Sequence, residues 1–183
     1  MTQIPVRNPH TGNIDYAFEE LTKSELASKI SRLRENQVDW ASLPVRARGE
    51  ILRQFADGLS RHKDQLAQAL CVDTGRWRLS LMEVEALQAI THSRVSQAID
   101  TLQTKRVKSK NADVSHLQVF VPYPVVGVIS PWNYPLILSF LDAVPALLAG
   151  CSVIIKPSEI TPRFIEAVNQ VLSDTVELGA VVD

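Results

Sequence analysis

Two short polar stretches, each set between apolar runs, hold the residue types that could do chemistry: Ser130-Pro131-Trp132-Asn133-Tyr134-Pro135 and Lys156-Pro157-Ser158-Glu159. An amide between two prolines is held rigidly, so Asn133 could aim an N–H at an oxygen where negative charge develops. It could equally be an ordinary turn asparagine. Trp132 could wall a flat cofactor, or join the core beside an apolar helix. Lys156 and Glu159 could hydrogen-bond the two hydroxyls of a ribose, or form an exposed ion pair near a helix start. No glycine-rich phosphate loop of the GxGxxG or Walker type follows the first apolar strand. Residue types alone therefore lead no further than a nucleotide-binding α/β unit.

A strand-helix-strand unit must position these residues. Val125 to Ile129 is apolar at every position, as in a strand covered on two sides. Pro131 to Pro135 breaks it, an apolar helix runs to Ala149, and Gly150 ends that helix before Ser152-Val153-Ile154-Ile155-Lys156. Such a unit predicts a parallel pair with a right-handed crossover, and open parallel sheets bind ligands beyond the carboxyl ends of their strands. Both polar stretches occupy that place. Thr161-Pro162 then starts one more helix.

Upstream, residues 20–104 read as largely helical. Thr22 and Glu25 form a capping box before Leu26, Ile30 and Leu33; Ser42 and Pro44 open a second helix with the stripe Ile51, Leu52, Phe55 and Leu59. A third helix through Leu66 and Leu70 ends at Gly75, and Ser80 with Glu83 forms another capping pair for a helix reaching about Thr104. Before these, Asn8-Pro9-His10-Thr11-Gly12 is a turn between two short strands. After them, Lys105, Arg106, Lys108 and Lys110 lie in a run read as a solvated loop to Ser115, and the alternation Leu117, Val119, Val121 predicts a half-buried strand.

Charge is nearly balanced, 19 basic against 20 acidic residues, which gives no electrostatic case for nucleic acid or an anionic membrane. Two cysteines, Cys71 and Cys151, imply no disulfide framework, and with no secretory pattern at the start a cytoplasmic location is expected. The most apolar segment, Leu136 to Ala149, falls short of the roughly 20 residues of a membrane span and contains Asp142 and Pro145, so it reads as a buried helix.

The stretch PYPVVGVISPWNYPLILSFLDAVPALLAGCSVIIKPSEITP, residues 122–162, resembles the cofactor-binding segment of the aldehyde dehydrogenase superfamily. Val72-Asp73-Thr74-Gly75 and the Asn-Pro-x-Thr-Gly start resemble its amino-terminal region, so the likeness runs the length of the chain. It implies an α/β fold: an amino-terminal helical region with an oligomerisation-type strand over 1–122, and the first strand-helix-strand unit of a Rossmann-like parallel sheet over 123–183, an incomplete aldehyde dehydrogenase fold. It implies oxidation of an aldehyde to a carboxylic acid with NAD, or with NADP as the alternative, and a homo-oligomer for the full-length protein. No metal is implied. Asn133 matches the oxyanion-stabilising asparagine. Ile129, Ser130, Pro131 and Trp132 match the positions lining the cofactor, and Lys156, Ser158 and Glu159 the segment that binds the adenosine ribose. Glu159 would accept bonds from a free 2'-hydroxyl and repel a 2'-phosphate, which favours NAD.

The family's nucleophilic cysteine and general-base glutamate match no position before Asp183, so the chain is expected to be a fragment, inactive alone. Cys151 matches a small packing residue, and Cys71 reads as core. The alternative expectation is a non-catalytic partner that pairs with a full-length relative through the strand at Leu117 to Val121. Arg76-Trp77-Arg78-Leu79-Ser80 is bulkier than the family's usual segment, with no function attached to it.

Overall fold

The computed structural model describes residues 2–108, 110 and 113–183. The chain opens with β1 (Gln3–Arg7) and β2 (Ile14–Glu19), an antiparallel hairpin. Its turn is built by Asn8, whose side-chain oxygen accepts the N–H of His10 at 2.9 Å and whose amide donates to Asp15 at 2.8 Å. Asx side chains commonly stabilise turns by bonding the backbone two residues on.

Four helices follow: α1 (Lys23–Ser42), α2 (Val45–Arg61), α3 (Lys63–Thr74) and α4 (Trp77–Thr101). The Thr22–Glu25 capping box is formed in both directions, and Gly75 ends α3 at φ 70°, a left-handed conformation that glycine adopts without penalty. The stripe Leu52, Phe55 and Leu59 is fully buried, with Phe55 packed on Phe140 at 5.1 Å between ring centroids. One core cluster runs from Trp40 through these helices to Val182, so the amino-terminal helices and the sheet share their hydrophobic interior.

The strand-helix-strand unit forms as the apolar pattern requires. β5 (Val125–Ile129) and β6 (Ser152–Lys156) are parallel, in register from Val125 opposite Ser152 to Ile129 opposite Lys156. Between them runs α5 (Pro135–Ala149), with proline at its first position and Gly150 beyond its end at φ 99°. A further parallel bridge joins Val153 to Val182 on the other side of β6, after α6 (Phe164–Ser173) and α7 (Val176–Gly179). The fold is α/β.

Both ends of α5 are satisfied from the helical region. Its last carbonyls accept from Trp40 Nε1 (to Leu147, 2.9 Å) and Arg48 Nε (to Leu148, 3.0 Å), and Gln37 Nε2 donates to the Gly150 carbonyl at 2.8 Å. A guanidinium against the carboxyl end of a helix also suits its dipole. Gly150 is needed here because a Cβ would sit 3.4 Å from the Ala41 Cα, in a conformation already unfavourable for other residues.

Several expectations are corrected. Lys105, Arg106 and Lys108 are not in a loop: β3 (Lys105–Lys108) pairs antiparallel with β4 (Ser115–Gln118). Charged side chains suit a strand whose every position is exposed, which a reading tuned to apolar alternation misses. Of the expected loop, residues 109, 111 and 112 lie outside the described residues. The strand at Leu117 is not half-buried; Leu117, Val119 and Val121 are all exposed, and pairing stops at Gln118. In β5 only Val128 is buried, while Ile129 is 82% exposed, so the described residues cover one face of that strand rather than two. Ser42 closes α1, donating to the Asp39 carbonyl, and does not open α2. Ser80 and Glu83 lie inside α4 and do not cap it. Pro162 precedes α6 rather than opening it, and Cys71 is only partly buried.

Candidate functional site

The parallel register carries the backbone of both polar stretches to one edge of the sheet. Beyond the last pair, Ser130 N–H donates to the Lys156 carbonyl at 3.0 Å, so the two loops leave the sheet side by side. Ser130 is buried, and its hydroxyl donates to the Pro135 carbonyl at 3.1 Å, closing the 130–135 loop on itself. Pro131, Trp132 and Asn133 lie on the outside of that loop, all exposed. Trp132 is thus not a core residue; its carbonyl accepts from Thr161 Oγ1 at 3.5 Å, which links the first loop to the second.

In the second loop, Lys156 Nζ donates to Glu159 Oε2 at 2.7 Å and to the Pro157 carbonyl at 3.2 Å. The lysine beside it holds the Glu159 carboxyl below the usual carboxylate range, so the group is ionised at neutral pH. Both side chains are more than half exposed, so this pair can exchange its mutual bond for a ligand's hydroxyls. Ser158 is buried, and its hydroxyl accepts the Ile160 N–H at 3.2 Å; it shapes the loop from within. Ile129, Trp132 and Ile160 leave apolar surface exposed at this edge.

The residues that hold the loops were not legible as such. Glu83 Oε1 accepts the N–H groups of Leu136 and Ile137 at 2.8 and 2.9 Å, acting as the cap that α5 lacks in its own sequence. Burial pushes the Glu83 carboxyl up, opposed by those two N–H groups and by Arg76. Arg76 Nη2 donates to the Asn133 carbonyl, and its guanidinium lies 5.1 Å from the Tyr134 ring centroid. On the other loop, Asp73 accepts the Arg163 backbone N–H at 3.0 Å and its guanidinium, fixing the end of the 157–163 segment. The unusual bulk after Thr74-Gly75 was the one sequence signal for Arg76; for Glu83 the signal pointed to the wrong helix.

Cys151 lies elsewhere. It is buried just before β6, a strand length of about 15 Å from the edge that carries the Asn133 loop. Burial pushes its thiol up, away from the thiolate that nucleophilic chemistry needs. Among the described residues no group of three or more His, Cys, Asp or Glu could hold a metal ion, and no helix is long and apolar enough to cross a membrane.

Comparison with known proteins gives a consistent result. The model of the family described as "Aldehyde dehydrogenase family" matches residues 1–181. A relative from Mycolicibacterium smegmatis, named "Putative succinate-semialdehyde dehydrogenase" with NADP(+) in its name, is 35% identical over 86% of this chain and 31% of that protein. The 2-hydroxymuconic semialdehyde dehydrogenase of Pseudomonas sp. is 31% identical over 85% of this chain and 33% of its own length. The solved structure of "Putative Aldehyde Dehydrogenase PutA" from Anabaena variabilis superposes with a TM-score of 0.96 at 40% identity, covering 99% of this chain and 39% of that one. The NAD+ complex of a betaine aldehyde dehydrogenase double mutant from Staphylococcus aureus gives a TM-score of 0.90 at 26% identity, over 98% of this chain and 36% of that one. The chain spans about a third of the length of the curated relatives it matches.

Proposed function

We propose a function from one premise, that this chain belongs to the aldehyde dehydrogenase family: its residues supply the oxyanion-holding and cofactor-facing part of a site that oxidises an aldehyde to a carboxylic acid. The observation that carries this reading is the meeting, at the carboxyl edge of β5 and β6, of the Asn133 loop with the Lys156–Glu159 pair.

The surface there fits a nicotinamide dinucleotide. Lys156 and Glu159 are exposed and exchangeable donors and acceptors for ribose hydroxyls, while Ile129, Pro131 and Trp132 present uncovered surface to flat rings. Ser130 and Ser158, both buried, set the shapes of the two loops. When bound, the dinucleotide accepts the hydride removed from the substrate. This chain's own contribution is positional and electrostatic. The Asn133 side chain is exposed and makes no hydrogen bond to a described residue, so its N–H is free to hold the substrate oxygen as charge develops on it. Cys151, at the other end of β6, does not stand at this edge to act as nucleophile.

The ionised Glu159 disfavours a 2'-phosphate, so NAD is the preferred cofactor and NADP the alternative through Lys156. The test is titration of the purified chain with NAD+ and NADP+, followed by Trp fluorescence and calorimetry. Weak NAD+ binding, lost in Glu159→Ala and Trp132→Ala, is expected. No saturable binding, or binding indifferent to both changes, refutes the reading.

A second reading concerns association. Leu117, Val119, Phe120 and Val121 are all exposed on and after the two-stranded β3–β4 ribbon, and an exposed apolar strand edge invites pairing with another chain. We infer that this ribbon is a subunit contact of a homo-oligomer. Two free cysteines fit a reducing, cytoplasmic setting.

A further inference from the structure

We propose that Arg76 and Glu83, at the start of α4, are positioning residues that clamp the backbone leading from Asn133 into α5, so that α4 sets the direction of the Asn133 amide. The inference rests on the reading of Asn133 as the residue that holds the substrate oxygen.

The loop's own sequence leaves its exit unsecured. Tyr134, the residue preceding α5, gives no side-chain cap, and Pro135 has no N–H to offer. The next two N–H groups, of Leu136 and Ile137, both go to one oxygen of Glu83, 53 and 54 residues upstream in another helix. Closer to Asn133, the guanidinium of Arg76 donates to the carbonyl of Asn133 itself and covers the Tyr134 ring. Holding that carbonyl fixes the peptide plane that follows the Asn133 Cα, and holding Leu136 and Ile137 fixes where the helix begins. With the Trp132 carbonyl accepting from Thr161 Oγ1 at 3.5 Å on the preceding side, the backbone is bonded both before and after the Asn133 Cα. Preorganised donors hold developing charge without reorganising at the moment of reaction, so an anchor on the backbone bears directly on how well this amide could do so. Glu83 is buried, and a carboxylate is a costly group to bury for capping alone when glutamine offers the same acceptor oxygen. The two N–H groups and, after them, Arg76 offset part of that cost.

The test uses the full chain, 15N-labelled, with Glu83→Ala, Glu83→Gln, Arg76→Ala and Arg76→Lys. Amide exchange is read at Leu136 and Ile137, backbone order parameters at Asn133 and Tyr134, and NAD+ affinity and Tm alongside. Glu83→Ala should speed exchange at Leu136 and Ile137 about tenfold, as expected for loss of a hydrogen bond to a carboxyl group. Glu83→Gln should stay within about twofold of the parent because the acceptor oxygen is kept. Arg76→Ala should lower the order parameters at Asn133 and Tyr134 and weaken NAD+ several-fold at an unchanged Tm, with partial rescue by Arg76→Lys; a merely structural role would move Tm as well. Parent-like exchange in Glu83→Ala, or a parent-like loop in Arg76→Ala, overturns the clamp. Should Glu83→Ala fail to fold, native exchange in Glu83→Gln together with a loosened loop in Arg76→Ala supports the clamp, and any other combination overturns it. A loop that loosens as described in a chain that binds no NAD+ refutes the cofactor reading and leaves the clamp standing.

Discussion

Replacing Asp73 by alanine should destabilise the chain far more than loss of a surface ion pair. Asp73 is 5% exposed and bonds both the backbone N–H of Arg163, at 3.0 Å, and its guanidinium. Arg163 also donates to Asp15 and lies 5.0 Å from the Tyr16 ring centroid. Removing one partner of a buried pair costs about 3–5 kcal/mol, because the other charge stays buried without it. Asp15 and Tyr16 still attend the guanidinium, so the lower end, about 3 kcal/mol, is expected. With a urea m value of about 2 kcal/mol/M, the unfolding midpoint should fall by about 1.5 M. Replacing both partners, as Asp73→Ala with Arg163→Met, should recover most of that loss. A further sign can be checked. Burial raises the folded pKa of Asp73 against the opposing pull of Arg163, so the proton-linked part of its contribution is present below the unfolded carboxyl pKa, about 3.9, and is lost as pH rises through the folded value. Asp73→Asn should therefore compare better with the parent at pH 7 than at pH 3. A loss below about 1 kcal/mol in Asp73→Ala, the range of surface pairs, would refute the reasoning.

Other outcomes follow from the same geometry. Tyr16 donates to Glu166 at 2.7 Å, and burial with that bond pushes its pKa up to about 12, so an absorbance titration of the three tyrosines should show one lagging the others; stability tied to it is present below pH 10 and lost towards about 12. Gly58→Ala places a Cβ 2.7 Å from Val171 Cγ1, a fully buried side chain, so overpacking of about 1–3 kcal/mol should outweigh the helix-propensity gain of about 1 kcal/mol and lower Tm, with relief by Val171→Ala. Iodoacetamide at pH 8 should label Cys71 in the folded chain and Cys151 only after denaturation; rapid labelling of both would contradict the burial of Cys151.

Much of the scaffold was legible because its signals are local. The Thr22–Glu25 box, the glycine ends at Gly75 and Gly150, and the apolar run through α5 each act within a few residues. The same signals misled where the partner lay far away. Ser80-x-x-Glu83 has the spacing of a capping pair, yet Glu83 caps a helix more than fifty residues later. The charged run at Lys105 looked like a loop because an exposed strand has no apolar period to reveal it.

The sequence by itself determined the residue types at the two loops, the strand-helix-strand order that carries them to one sheet edge, and the family likeness through the ordered stretch from Tyr123 to Pro162. Only the tertiary structure decided that Trp132 faces outward, that Lys156 and Glu159 meet, and that Arg76, Glu83, Asp73 and Arg163 hold the loops. The physical reason is range: periodicity, caps and turn residues act over a few positions, whereas the choice of partner for a buried carboxylate depends on which N–H groups folding brings within 3 Å.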